Sequence, residues 1–295
     1  MNSSSDEHTI QLYDGRRLAY ARYGDPDGVP VFYFTGGNSS RLEGEWFADA
    51  AQKLGVNLIV PDRPGFGQSD FQPGRRLLDW PEDISHLADR LSLDRFAVFG
   101  LSGGGPHALA AAYKLPGRIT RLAVVSGTAP PEMAERFNGM WPPVRMIFLS
   151  ARHLPSANRL LLKAMAGFYS NPDEMKRRMK QAMPPPDVEL MERRPEIIDI
   201  FARAAQEAHR KGLEGDAWEW RMYVHPWGFQ LRDIRIQAGL WYGLHDRQVP
   251  VGMGRYLHQE LRGSTLWEVE DGGHFSTINN HIEEILGYLV EGDQV

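Results

Sequence analysis

Three residues far apart in the chain carry groups that can work together as nucleophile, base and orienting acid. Ser102 lies in "FGLSGGGPHA", residues 99–108, a single hydroxyl among four glycines. Asp246 lies in "GLHDRQVP" and His274 in "GGHF". A serine hydroxyl becomes a useful nucleophile only when an imidazole takes its proton and a carboxylate holds that imidazole in the right tautomer. Glycine in an element interior costs about 0.5–1 kcal/mol relative to alanine, so crowding glycines around one serine needs a reason. Gly100-Leu101-Ser102-Gly103-Gly104 reads as G-x-S-x-G, in which the serine sits on a sharp strand-to-helix turn and small neighbours avoid collisions.

Rival readings of the same stretch are weaker. Gly103-Gly104-Gly105-Pro106-His107-Ala108 also spells G-x-G-x-x-A, a dinucleotide fingerprint. That fingerprint wants an acidic residue at the end of the next strand, where this chain has Val125-Ser126-Gly127. Pro106 also removes an amide from the cradle. No lysine follows glycine as a phosphate loop requires. The histidines show no paired metal spacing, so no metal is expected. Chemistry by a serine, a histidine and a carboxylate needs no external cofactor, and none is expected.

The elements that must position these residues are legible as apolar runs. "VPVFYF" (29–34), "VNLIVP" (56–61), "RFAVFG" (95–100), "RLAVVSG" (121–127), "AGLWYG" (238–243) and the weaker "STLWEV" (264–269) read as strands covered on both faces. Helical patterns separate them. Over 79–91, Ile84, Leu87, Ala88 and Leu91 follow helical spacing, with Asp79 as the expected cap and Pro81 in the first turn. This alternation predicts an α/β fold with a mostly parallel sheet flanked by helices. Ser102, Asp246 and His274 would then all lie at carboxyl ends of strands, where such sheets place their sites.

The alternation fails between residues 131 and 230. Helical patterns dominate there, including Val144, Ile147, Phe148 and Ala151, then Leu161, Ala164, Met165 and Phe168. The expected organisation is a core of residues 1–130 and 231–295 carrying a helical cap inserted at 131–230.

Bulk composition narrows the function classes. The 295 residues are 42% hydrophobic and 24% charged, with a formal net charge of −5. That balance gives no reason to expect nucleic acid or an anionic membrane as partner. There is no cysteine, hence no disulfide and no thiolate chemistry. The start "MNSSSDEHTI" lacks the apolar core of a secretory signal, and no apolar stretch approaches the roughly 18 residues of a membrane span. The expectation is a soluble cytoplasmic protein, monomer or homodimer, acting on a small molecule.

In order and after strands, "GLSGGG", "GLHDRQVP" and "GGHF" resemble the α/β-hydrolase fold family in its cap-bearing serine hydrolase branch. The resemblance spans nearly all of residues 8–290, the insertion matching only in kind. "DRPGFGQS", residues 62–69, is similar to another loop of the family and is read here as a structural turn. The resemblance implies that Ser102 attacks, His274 acts as base and Asp246 orients it; Asp271, close to His274 in the sequence, is the alternative acid. His245 and His107 are read as pocket-wall or packing residues. It also implies an oxyanion hole from the backbone N–H groups of Gly103 and Gly37. In the family the loop holding Gly37 begins with a histidine that braces it; here Thr35 stands in that place. Asn38 reads as a turn residue that could also donate from its side chain.

A serine at the elbow argues against epoxide hydrolases and haloalkane dehalogenases, which resemble this architecture but carry aspartate there. The expected activity is that of a carboxylesterase or lactonase on a small to medium apolar substrate. Asn38, Leu101, Met140, Trp141, Phe168, Trp218, Val249 and Phe275 are the expected pocket residues. Other readings of the same fold are a carbon–carbon bond hydrolase of diketo acids, a perhydrolase and a ligand sensor without turnover. A proline iminopeptidase is a further one, with Glu189, Glu192, Glu196 or Glu207 holding an amino group.

Overall fold

The computed structural model describes residues 6–169 and 172–291, with side chains described throughout except over 168–176. The chain order is β1 (Asp6–Gln11), β2 (Arg17–Gly24), β3 (Val29–Phe34), α1 (Ala48–Lys53), β4 (Val56–Pro61), α2 (Trp80–Arg90), β5 (Phe96–Leu101), α3 (Gly104–Lys114) and β6 (Ile119–Val125). Six helices follow: α4 (Pro142–His153), α5 (Pro155–Tyr169), α6 (Pro172–Ala182), α7 (Pro185–Arg193), α8 (Glu196–Ala208) and α9 (Glu214–Tyr223). The chain then returns to β7 (Ala238–Gly243), α10 (Val251–Glu260), β8 (Ser264–Val269) and α11 (His274–Val290).

The strands form one eight-stranded sheet in the order β1-β2-β4-β3-β5-β6-β7-β8. β1 and β2 pair antiparallel, as do β2 and β4; every other neighbouring pair is parallel. The six apolar runs read from the sequence are β3 to β8. The continuous apolar character of β3 to β7 has a physical cause: both faces are covered. Phe32, Phe34, Val98, Leu122 and Leu240 pack on one side with Ile84, Leu87, Leu109 and Leu257. Their chain neighbours Val31, Tyr33, Ala97, Ala123 and Trp241 pack on the other with Ala51, Ile278, Ile285 and Leu289. The side-chain period of two thus sends alternate residues into two cores. Each Val, Leu, Ile or Phe among them contributes about 1.5–3 kcal/mol by leaving water.

Two details differ from the sequence reading. β1 carries no apolar run, because it is an edge strand with alternate residues in solvent; β2 is mostly buried, but its short Leu18-Ala19-Tyr20-Ala21 stretch is flanked by Arg17 and Arg22 and does not read as a long apolar run. Asp79 precedes α2 but does not cap it with its side chain. Its carboxylate accepts instead from the Arg76 N–H at 2.8 Å and the Arg76 guanidinium at 2.9 Å.

The segment between β6 and β7 is helical, and prolines open α4, α5, α6 and α7, where a missing N–H costs nothing. Among the described residues no helix is long and apolar enough to cross a membrane.

Candidate active site

The glycines around Ser102 are there because other backbone occupies the space of a side chain. A Cβ on Gly100 would overlap the Gly104 carbonyl, and one on Gly104 would overlap the Phe34 carbonyl. One on Gly105 would approach Gly127 Cα to 2.9 Å. β5 therefore turns directly into α3 with Ser102 at the apex. Ser102 has φ 52°, a left-handed conformation costly for any residue with a Cβ. Its N–H donates to Val125 O at 2.9 Å, and its carbonyl accepts from Gly105 N–H at 3.0 Å. The strained apex is thus held from both sides.

Asp246 follows β7 and His274 opens α11 after β8. Asp246 Oδ1 accepts from the N–H groups of Gln248 at 2.8 Å and Val249 at 2.9 Å. That leaves Oδ2 to face His274 Nδ1 at 2.8 Å. A carboxylate can only accept here, so Nδ1 carries the proton and Nε2 keeps its lone pair. Both side chains are buried. Burial disfavours the His274 cation, but the carboxylates of Asp246, Asp187 and Glu43 more than offset it, so its pKa lies above the ordinary histidine value. Asp271 is exposed. His245 is exposed too, whereas His107 is fully buried beneath the elbow with Nδ1 3.1 Å from Gly103 O.

Gly37 and Gly103 face each other across the elbow. A Cβ on Gly103 would lie 3.2 Å from Gly37 N and 2.8 Å from the Tyr223 hydroxyl. Among the described residues neither amide N–H has an acceptor. The brace missing at Thr35 comes from elsewhere. Arg63 Nη1 donates to the Thr35 carbonyl at 2.7 Å and to its hydroxyl at 3.1 Å, while Nη2 donates to the Gly36 carbonyl at 2.9 Å. Arg63 belongs to the "DRPGFGQS" loop, whose Asp62 and Ser69 are tied into β2 and the neighbouring turn. Asn38 has φ 56°, in keeping with a turn residue.

A family model described as the alpha/beta hydrolase fold matches residues 29–280. The chain belongs to the alpha/beta hydrolase family. The chain is 25% identical over 290 residues to the uncharacterized hydrolase YcgS of Bacillus subtilis, covering 94% of this chain and 96% of the relative. Among solved structures, the esterase EaEST from Exiguobacterium antarcticum superposes with a TM-score of 0.71 at 19% identity, over 96% of this chain and 98% of that one. The enol-lactonase from Burkholderia xenovorans LB400 gives 0.68 at 20% identity, over 96% and 100%. At such identities the two structures speak for the fold.

In this α/β-hydrolase, Ser102, Asp246 and His274 all line one cavity of about 490 Å³, together with Gly37 and Gly103. Of the expected pocket residues, Asn38, Leu101, Trp141, Val249 and Phe275 also line it. Met140 and Trp218 do not. Met140 is buried in the main core. Trp218 turns away, donating its indole N–H to Arg75 O at 2.8 Å and packing edge-on to Phe71. Phe168 lies outside the residues whose side chains are described. The helical face of Leu161, Ala164 and Met165 lines the cavity.

Sequence reasoning missed four participants. Glu43 lines the cavity fully buried, and its Oε1 accepts the Tyr33 hydroxyl at 2.6 Å. Arg63, Glu219 and Tyr223 form a buried cluster behind the Gly37 loop. The one sequence signal was the spacing of Asp216, Glu219 and Tyr223 along one helix face. By contrast Glu189, Glu192, Glu196 and Glu207 pair with Arg193, Lys180, Arg194 and Arg41, and none lines the cavity.

Proposed function

We propose that this chain is a serine hydrolase that cleaves small to medium, largely apolar esters or lactones through an acyl-enzyme. The single observation that carries the reading is the buried His274 Nδ1–Asp246 Oδ2 contact of 2.8 Å, in a cavity that also holds Ser102 on a left-handed elbow.

The chemistry follows from those groups. Ser102 Oγ attacks the substrate carbonyl carbon and its proton passes to His274 Nε2. The carbonyl oxygen becomes an oxyanion between the N–H groups of Gly37 and Gly103. Collapse expels the alcohol, which takes the proton from His274. Water then attacks the acyl carbon, gives a proton to His274, and Ser102 recovers it as the acid leaves. Asp246 stays ionised throughout and stabilises the imidazolium. An oxyanion held by the Gly103 N–H would lie near the N-terminus of α3, whose dipole favours negative charge.

The lining supports an apolar substrate. Trp141, Val144, Ile147, Phe148, Met179 and Trp220 bring mainly hydrocarbon and aromatic surface from the helical segment 131–230, which acts as the cap. Glu43 supplies one polar corner, suited to a single hydrogen-bonding group on the substrate. Fold neighbours named as an esterase and an enol-lactonase are in keeping with acyl transfer. The absence of Glu189, Glu192, Glu196 and Glu207 from the cavity lining weighs against an iminopeptidase.

The test is a panel of short aryl and alkyl esters, lactones and a vinylogous diketo acid, run beside Ser102→Ala. Ester or lactone turnover that Ser102→Ala reduces to background, with a mass shift on Ser102 from a fluorophosphonate, is expected. Turnover of the diketo acid alone would reassign the reaction to carbon–carbon cleavage. Ligand-induced stabilisation with no turnover of any substrate would mark a sensor.

A further inference from the structure

We propose that α9 is the positioning element of the oxyanion hole: Asp216, Glu219 and Tyr223 on one face of this helix fix the backbone around Gly37 and Gly103 and, through Arg63, aim the Gly37 N–H. The inference rests on the assignment of Ser102 and the two glycine donors made above.

Residues 216, 219 and 223 follow an i, i+3, i+7 spacing and share one side of α9. All three are almost wholly buried. Two carboxylates and a phenol on a buried stripe are costly unless each finds a partner. Glu219 also accepts from Arg75 Nη2 at 2.9 Å and Asp216 lies 3.4 Å from His209, but each of the three has one partner beside the Gly37 loop or the elbow. Asp216 accepts from the Asn38 amide nitrogen at 3.1 Å, with the amide group turned so that its nitrogen faces the carboxylate. Glu219 holds Arg63 through Nε at 2.5 Å and Nη2 at 3.1 Å. Tyr223 Oη stands 2.9 Å from both Gly103 O and Glu219 Oε2, its one proton shared between them.

The consequence for Gly37 follows from peptide planarity. The Gly36 carbonyl and the Gly37 N–H belong to one rigid trans unit and point in opposite directions. Arg63 Nη2 donates to that carbonyl at 2.9 Å. Pinning the oxygen on one side therefore aims the N–H on the other. A guanidinium bonded to the carbonyl also polarises the peptide and strengthens its N–H as a donor. Thr35, Gly36 and Asn38 are all held, so Gly37 has held neighbours on both sides. This is how the chain manages without the histidine that the family keeps at position 35.

A purely stabilising role explains the arrangement poorly. Replacing a buried ion pair by packed apolar side chains is often neutral or stabilising. Here the buried charge sits behind the one loop whose orientation an oxyanion would read. It also ties that loop to the helical segment, which supplies most of the substrate wall.

The experiment compares Arg63→Lys, Glu219→Gln and Tyr223→Phe with the wild type. Three readouts are kcat and KM on an ester that the wild type cleaves, the affinity of a trifluoromethyl ketone that forms a tetrahedral adduct, and a thermal melt. Lost aim at the oxyanion is expected to lower kcat by about 10- to 100-fold with KM little changed. The ketone should weaken by the same factor in variants that still melt cooperatively. Should the two charge variants not fold, Tyr223→Phe decides, since it deletes one oxygen and keeps the ring. Folded variants with wild-type kcat and wild-type ketone affinity would overturn the proposal while the serine mechanism stands. A wild type with no turnover and no labelling at Ser102 would overturn both.

Discussion

The carboxylate of Asp187 caps the helix that carries His274. Its Oδ2 accepts from the His274 N–H at 2.9 Å, and its Oδ1 accepts from Phe275 N–H at 3.1 Å and Ser276 N–H at 2.8 Å. The Ser276 hydroxyl donates to the same oxygen at 2.8 Å. Asp187 comes from α7, so the helical segment grips His274 as α9 grips the Gly37 loop. A Cβ on Gly273 would collide with this carboxylate, which is why the pair before the histidine ends in glycine. Asp187→Ala leaves four donors without this acceptor, three of them buried. The expected loss is about 1–2 kcal/mol of stability, the usual cost of a deleted cap, together with a lower kcat from a less fixed imidazole. Urea unfolding beside steady-state kinetics checks both; unchanged values would show that the contact is incidental.

The elbow exchanges stability for presentation of the hydroxyl. Ser102→Gly relieves the left-handed φ of 52° and should stabilise the fold by about 1 kcal/mol while removing activity. Ser102→Ala removes the same hydroxyl but keeps the strain, so it should melt near the wild type. Gly104→Ala places a methyl against the Phe34 carbonyl and should cost at least about 3 kcal/mol. Thermal melts should rank Ser102→Gly above both the wild type and Ser102→Ala, with Gly104→Ala far below all three.

Glu43 should tune the base without touching the nucleophile. The acid limb of kcat/KM reports the pH at which His274 loses its proton in the free enzyme. Because Asp246, Asp187 and Glu43 outweigh burial, that limb should lie above the ordinary histidine value of about 6.5. Removing a nearby negative charge disfavours the imidazolium, so Glu43→Gln should move the limb to lower pH. Its amide oxygen can still accept from Tyr33. A pH–rate profile in which Glu43→Gln shifts the limb upward, or not at all, would contradict this account.

What could be read from the sequence was local. Ser102 stood out because glycine-rich turns between an apolar run and a helix pattern have few physical explanations. Asp246 and His274 stood out because each follows an apolar run, and parallel strands bring their ends to one edge. β1 stayed hidden because an edge strand in solvent needs no apolar run, and β2 because its short buried stretch, Leu18 to Ala21, lies between two arginines. Asp79 misled because a carboxylate before a helix can serve a neighbouring arginine as well as a cap. The support of the site was illegible for a different reason. Arg63 and Glu219 lie 156 residues apart, and nothing in either neighbourhood names the partner. Trp218 and Trp220 look alike in the sequence, yet the helix turns one to Arg75 and the other to the cavity.

The buried histidine behind the elbow gives the fold a pH dependence of predictable sign. Burial, together with the positive charges of Arg63 and Arg75, outweighs Glu219 and pushes the His107 pKa down to about 3. Burial works to raise Glu219, but Arg63, the His107 imidazole and Arg75 together overcome it and hold that carboxyl down to about 2. Between the unfolded histidine value of about 6.5 and pH 3, the unfolded chain binds a proton at position 107 that the folded chain refuses. Stability therefore falls as the pH drops through this window, by about 2 kcal/mol between pH 7 and pH 5 from this residue alone. Glu219 adds a second loss only below its unfolded value of about 4.5, extending toward pH 2. His107→Asn removes the first loss, so its urea midpoint should change less between pH 7 and pH 5 than that of the wild type. The variant starts from lower stability at pH 7, because the ring leaves a gap beside Trp80 and Tyr223. Equal pH slopes for the two proteins would mean that His107 is protonated in the fold, and that Glu219 carries a third cation behind the Gly37 loop.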